Sequence, residues 1–134
     1  MSEIEKMILE NDFDSLKIFF LKYENTEIEL KENLDPLIDD YGLLIIFILL
    51  EIAKDRNISF WYDHVSYYLS IGLSHIDGAE RLSLLMLKRS LKLDFKKDTI
   101  RAILDFKKPP EIILTNKEYD YYLKMLNSKG TSAP

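Results

Sequence analysis

Apolar residues recur along this chain at helical spacing, in stripes broken by short polar runs, and the pattern predicts helices throughout. Ser2-Glu-Ile-Glu5 fits a capping box and opens a short helix to about Glu10. Asp12 caps a second, Phe13 to about Tyr23, with Leu16, Phe19, Phe20 and Tyr23 inward. Thr26-Glu-Ile-Glu29 is a second capping box, opening a helix that carries Ile28, Leu30 and Leu34. Asp35 is placed to cap the next helix, with Pro36 in its first turn and an end near Arg56. Leu43-Leu-Ile-Ile-Phe-Ile-Leu-Leu50, within it, is apolar on every side, so it is expected to be the central, buried helix.

The stretch Ile58–Phe95 reads as two amphipathic helices joined by a tight turn at Asp77-Gly78. Phe60, Tyr67, Tyr68, Ile71 and Ile76 make the stripe of the first, which Ser59 would cap. Leu82, Leu84, Leu85, Leu87, Leu91 and Leu93 make that of the second. Gly72 falls in the middle of the first helix, where it invites close approach of a neighbour. Asp98 is placed to cap a helix from Thr99 to about Phe106, with Ile100, Ile103 and Leu104 inward, ended by Lys107, Lys108, Pro109 and Pro110. Glu111-Ile-Ile-Leu114 is a short apolar link. Thr115-Asn-Lys-Glu118 is a third capping box, opening the last helix with Tyr119, Tyr122, Leu123 and Leu126. The expectation is an all-α fold, a compact bundle of about eight helices in one domain, 1–134, with residues 129–134 as a disordered tail.

Composition narrows the classes of function. The chain has 134 residues, no cysteine, and only 4 Gly and 4 Pro. Disulfides and thiolate metal sites are excluded. The greasiest run is eight residues, against roughly 20 for a membrane-spanning helix, so no membrane association is expected. The N-terminus is acidic where a secretory signal would be basic, which fits a cytoplasmic protein. Net charge is −5 and uneven. Residues 1–57 hold 14 Asp+Glu against 6 Lys+Arg, a net −8, and the remainder is +3. Such an acidic half repels nucleic acid and attracts basic partners.

Candidate chemistry is sparse. His64 and His75, eleven residues apart on one expected helix, would stand roughly 16 Å apart and share no metal. No phosphate loop, glycine-rich dinucleotide turn or nucleophile elbow is present. Asp39-Asp40 and Glu27/Glu29/Glu32 have no histidine neighbours, and helix-start positions account for most of them. No catalytic role, cofactor or metal is therefore expected. Lys88-Arg89, Lys92, Lys96-Lys97, Arg101 and Lys107-Lys108 form a basic cluster, read as a solvated face rather than a nucleic-acid site. Of the aromatic group, Tyr67 and Tyr68 are read as core, and Trp61 and Tyr62 as the exposed contact candidates.

Leu82 to Asp105 resembles part of a tetratricopeptide array: Lys88-Arg-Ser-Leu-Lys-Leu-Asp94 is similar to the close of such a repeat's second helix, with Ser90 in the small position. Phe95 stands where that pattern has proline, and Ser83 where it has alanine. The resemblance implies a tetratricopeptide-like αα-hairpin within 58–106. A longer stretch, His75-Ile-Asp-Gly-Ala79 through Leu91-x-Leu-Asp94 to Leu104-x-Phe106 and Pro110-Glu-Ile-Ile-Leu114, is similar to small helical immunity proteins of bacterial polymorphic toxins, including those of contact-dependent growth inhibition. That resemblance implies a cytoplasmic, non-enzymatic protein that binds one cognate toxin domain and blocks its active site, the toxin expected to be a basic nuclease. No binding residue transfers from it. Charge alone nominates Glu27, Glu29, Glu32, Asp39 and Asp40 as toxin-facing, with Tyr41 or Trp61 as aromatic contacts. The alternative expectation is a tetratricopeptide-like adaptor or secretion chaperone that binds a peptide.

Overall fold

The computed structural model describes residues 2–108 and 113–129. They form an all-α bundle: α1 Glu3–Leu9, α2 Phe13–Leu21, α3 Glu27–Leu34, α4 Ile38–Arg56, α5 Ser59–Ile71, α6 Ala79–Leu93, α7 Lys97–Leu104 and α8 Asn116–Lys129. Short 3-10 turns, Asp35–Leu37 and Asp105–Lys107, precede α4 and follow α7. No strand occurs among the described residues. The proposed link Glu111–Leu114 lies partly, and residues 130–134 of the expected tail wholly, outside the described residues; Lys129 still belongs to α8.

Helix starts follow side-chain chemistry where a capping oxygen is in reach. Ser2 Oγ accepts from the Glu5 amide at 3.1 Å, and Asp12 Oδ1 from the Ser15 amide at 3.2 Å. The Thr115 box is reciprocal: Thr115 Oγ1 accepts from the Glu118 amide at 3.1 Å, while Glu118 Oε1 accepts from the Thr115 amide at 3.2 Å. The Thr26 box does not form, because the Thr26 hydroxyl turns back and donates to the Tyr23 carbonyl. Ser59 and Asp98 lie within the first turns of α5 and α7 rather than capping them. Asn11, Asn25 and Asn57 take left-handed backbone angles after α1, α2 and α4, a conformation that asparagine tolerates better than most residues.

The bundle is built outward from α5, which packs against α4 on one side and α6 on the other. Trp61, Tyr62, Val65, Tyr68 and Leu69 of α5 are buried with Ile45, Ile48, Leu49 and Ile52 of α4 and with Leu16, Phe20, Leu30 and Leu34 from α2 and α3. A second, smaller apolar cluster joins Leu84 and Leu87 of α6 to Ile103 of α7 and to Leu114, with Tyr119 and Tyr122 of α8 packed on it. Helix α6 serves both, since Ala79 and Met86 belong to the first cluster.

Further expectations need correcting. Helix α4 is not enclosed on every side: Leu43 and Phe47, one turn apart, are 65% and 60% exposed. The hairpin connection is not a two-residue turn; α5 stops at Ile71, residues 72–78 link the helices, and Gly78 enters α6 at φ +88°. Gly72 accordingly sits at the end of α5 rather than in its middle, although the expected close approach is real. A Cβ there would lie 2.2 Å from Ile38 Cγ2. Of the stripes read from sequence, Ile71, Leu85 and Leu93 are exposed.

Gly42 and Gly72 thus test the α4–α5 contact differently. A methyl on Gly72 meets the stiff β-branch of Ile38, whereas one on Gly42 meets the mobile Cδ2 of Leu73 at 2.7 Å. Gly72→Ala is expected to destabilise by about 1–3 kcal/mol, and Gly42→Ala by less, as measured by urea unfolding. Equal, negligible changes in both variants would show that this contact is loose.

Candidate functional site

Two surfaces emerge. The first holds most of the residues nominated from charge. Glu27, Glu29 and Glu32 are exposed on α3, and Asp39 and Asp40 are exposed in the first turn of α4. Carboxylates at a helix start are favoured by the positive end of its dipole, which places Asp39 and Asp40 there at little cost. Glu27 is paired with Lys31 at 2.8 Å. Glu29, Glu32, Asp39 and Asp40 have no ion-pair partner among the described residues. Large apolar side chains interleave with these acids: Ile28 on α3, and Leu43 and Phe47 at one and two turns beyond Asp39. Tyr41 is half-buried at a kink, with φ −129° and ψ 20° inside α4. The surface therefore couples an acidic border to exposed apolar groups.

Trp61 does not belong to it. Its side chain is fully buried, and Tyr62 is nearly so, against the expectation that both are exposed. The physical reason lies at Glu24. Trp61 Nε1 donates to Glu24 Oε1 at 2.8 Å, and Arg56 grips the same carboxylate with Nε and Nη2 at 2.8 and 2.9 Å. A buried indole needs an acceptor for its N–H, and a residue 37 positions away in sequence supplies it.

The second surface was not foreseen. A cleft of about 910 Å³ opens over α5, within the size range of small-molecule and peptide-segment sites. Asp63, His64, Ser66, Tyr67 and Ser70 of α5 form its floor. Glu27 and Lys31 of α3 form one wall, with Lys31 Nζ 4.0 Å above the Tyr67 ring. Thr99 and Ala102 of α7, with Phe106 beyond it, form the other. The sequence signal was present but unread: Asp63, Tyr67, Ser70 and Ser74 recur at helical spacing as a polar stripe on an otherwise apolar element.

The floor is joined to α6 by a hydroxyl seam. Ser83 Oγ, fully buried, lies 2.7 Å from both Ser66 Oγ and Ser70 Oγ and donates to the Ser66 carbonyl at 3.0 Å. Ser90 of α6 donates to Asp63, which also receives Lys96 at 3.4 Å. His64 is 4% exposed. Its Nδ1 lies 2.7 Å from the Phe60 carbonyl, as expected of a structural histidine, and its ring leans on Phe60. Burial pushes its pKa down, so the ring is neutral near pH 7. Its Nε2 is buried and has no hydrogen-bond partner among the described residues. His75 is exposed in the 72–78 connection, off α5 altogether, so the two histidines do not share a helix.

The basic cluster is largely engaged by carboxylates and rings. Lys88 pairs with Glu118, Arg101 with Asp98 and Lys108 with Asp105, while Arg89 lies 6.0 Å over the Tyr62 ring. Among the described residues no group of three His, Cys, Asp or Glu side chains is arranged to hold a metal, and no helix is long and apolar enough to cross a membrane.

The Glu24 clasp yields a pH prediction. Hydrogen bonds from Arg56, then Trp61, hold the Glu24 carboxyl below its ordinary value of 4.5. A depressed folded-state pKa contributes stability above the unfolded value, and that contribution is lost as pH falls through the folded one. Glu24→Gln is thus expected to lower the melting temperature by several degrees at pH 7 and to flatten its decline between pH 5 and 3. Parallel melting curves for both proteins over that acid range would remove the clasp from the account. No protein-family model, curated protein or solved structure matches this chain.

Proposed function

We propose that this protein is an immunity protein, which binds a cognate bacterial toxin domain in the cytoplasm and neutralises it by covering its active site. The observation that carries the reading is the α3–α4 surface, where Asp39 and Asp40 run straight into exposed Leu43 and Phe47 on one helix. An inhibitor's surface needs both parts. Apolar anchors supply most of the affinity once desolvated, and a charged border raises the association rate and selects the partner. The sign selects a basic counterpart, which fits the substrate cleft of a nuclease. Occlusion needs no catalytic group on this side. The toxin-facing set is accordingly Glu29, Glu32, Asp39 and Asp40 with Ile28, Leu43 and Phe47; Tyr41 stays at its edge, Glu27 faces Lys31 and the cleft, and buried Trp61 drops out.

A second reading has one observation in its favour. The cleft over α5 suits an adaptor or secretion chaperone that holds a peptide segment.

The test uses the domain encoded beside this gene, co-expressed and then purified with it. Charge reversal of Asp39 and Asp40 together to Lys is expected to weaken binding about tenfold and to reduce its salt dependence, chiefly through the association rate. Phe47→Ala is expected to act on dissociation instead, with a loss of about tenfold or more. Wild-type affinity and full protection from the toxin in both variants would rule this surface out.

A further inference from the structure

Two helices of this chain carry exposed rows of opposite charge. On α4, Leu43, Phe47 and Glu51 follow one another at four-residue spacing, with Asp39 and Asp40 in the turn ahead of the kink at Tyr41. On α6, Arg81, Leu85 and Arg89 do the same, with Lys92 and Leu93 in the next turn. All of these side chains are exposed. Asp39, Asp40, Arg81, Arg89 and Lys92 have no ion-pair partner among the described residues, and Glu51 meets Lys17 only loosely, at 3.7 Å. Each row thus sets apolar groups between charges of one sign, acidic on α4 and basic on α6. Beside Leu85 a recess of about 200 Å³ opens between α6 and α8, lined by Leu84, Leu85 and Ile113 with Arg81, Lys88 and Glu118. An apolar cavity of about 150 Å³ takes up benzene, so the recess has room for a phenyl ring.

We infer that a second copy of this chain docks head to tail, α4 of one molecule lying antiparallel across α6 of the next with Phe47 in the recess at Leu85. That register sets Glu51 opposite Arg81 and Asp40 opposite Lys92, roughly 6 and 10 Å along the helices on either side of the central pair. Leu43 then lies against the apolar stem of Arg89. Lys54, the base on the same side of α4, falls at Gly78 beside exposed Asp77.

Pairing like rows does worse. Two α6 helices crossed at Leu85 set Arg81 against Arg89. Two α4 helices with Leu43 against Phe47 set Asp39 against Glu51. Like charges placed across an interface are repulsive, so the unlike rows are the ones that suit each other. A contact between unlike faces leaves one face of each kind free on the end molecules, so association continues past a dimer into a ring or an open string. A contact of two helices is small, and the association is correspondingly weak. The acids concerned are those assigned above to the toxin, so a bound toxin and a bound copy exclude each other, although the pairing of copies does not depend on that assignment.

The experiment is analytical ultracentrifugation of the intact chain alone over a range of concentrations. The weight-average mass is expected to rise with concentration past that of a dimer and to fall back in high salt. Phe47→Lys and Leu85→Lys, both at exposed helix positions, are each expected to weaken association about tenfold or more. An equimolar mixture of these two variants is expected to form a dimer and nothing larger, because only one sound pair of faces remains. Glu51→Lys and Arg81→Glu should each weaken association about two- to fivefold and, combined in one chain, recover most of the loss. A wild-type chain that stays monomeric at every concentration would overturn the pairing. So would a dimer that Phe47→Lys dissolves and Leu85→Lys leaves intact, since that is a symmetric contact between α4 helices. A mixture of the two lysine variants no heavier than either alone would overturn it as well.

Discussion

Everything in this bundle takes its position from the enclosure of α5. One side of that helix presses Trp61, Tyr62 and Tyr68 into the main apolar core, and each large ring buries far more surface than an aliphatic side chain. All three rings carry polar tips, and those of Trp61 and Tyr68 are satisfied by acids far away in sequence. Glu24 accepts from Trp61 Nε1, and Asp35 accepts from the Tyr68 hydroxyl at 2.7 Å. The acids sit between α2 and α3 and between α3 and α4, so the two bonds bind the N-terminal helices to the C-terminal half. Burial and the bond to Asp35 also raise the Tyr68 pKa, which keeps that hydroxyl protonated and donating.

The opposite side of α5 follows another principle. Ser66, Ser70, Ser83, Asp63 and Ser90 form a polar seam with α6, and small side chains there let the two helices come close. Polar groups at such a seam must be fully paired, since an unpaired one costs more than an apolar substitute. Each of these serine hydroxyls and Asp63 has a partner, whereas the buried His64 Nε2 has none among the described residues. One helix thus serves two ends: its apolar face fixes the fold, and its polar face lines the cleft.

Much of the architecture was legible because it is local. A helix period, a capping oxygen three residues from an amide, and a proline or glycine at a break act over four residues or fewer, so Asp12, Thr115, the starts of α2 and α3 and the end of α4 at Arg56 could be read directly. Asp35 and Pro36, read as the cap and first turn of α4, instead form a 3-10 turn, and α4 begins at Ile38. The small positions singled out by the repeat-like pattern, Ser83 and Ser90, are both fully buried against α5. Where local chemistry offered two choices, reading failed. Thr26 could cap forward or bond backward, and it bonds backward. Residues 72–78 could extend α5 or turn, and they turn.

Sequence by itself determined that the chain is helical, where most helices start and stop, and that its acids gather in the first half, because these properties depend on neighbours along the chain and on composition. Tertiary structure alone decided which apolar residues are covered. Leu43 and Phe47 stay outside while Trp61 goes in, since a hydrophobic run is silent about which of its faces meets a partner. It alone also decided that the hydroxyls of α5 and α6 meet in a buried seam beside a cleft, because hydrogen-bond accounting closes only when groups distant in sequence are brought within 3 Å or so.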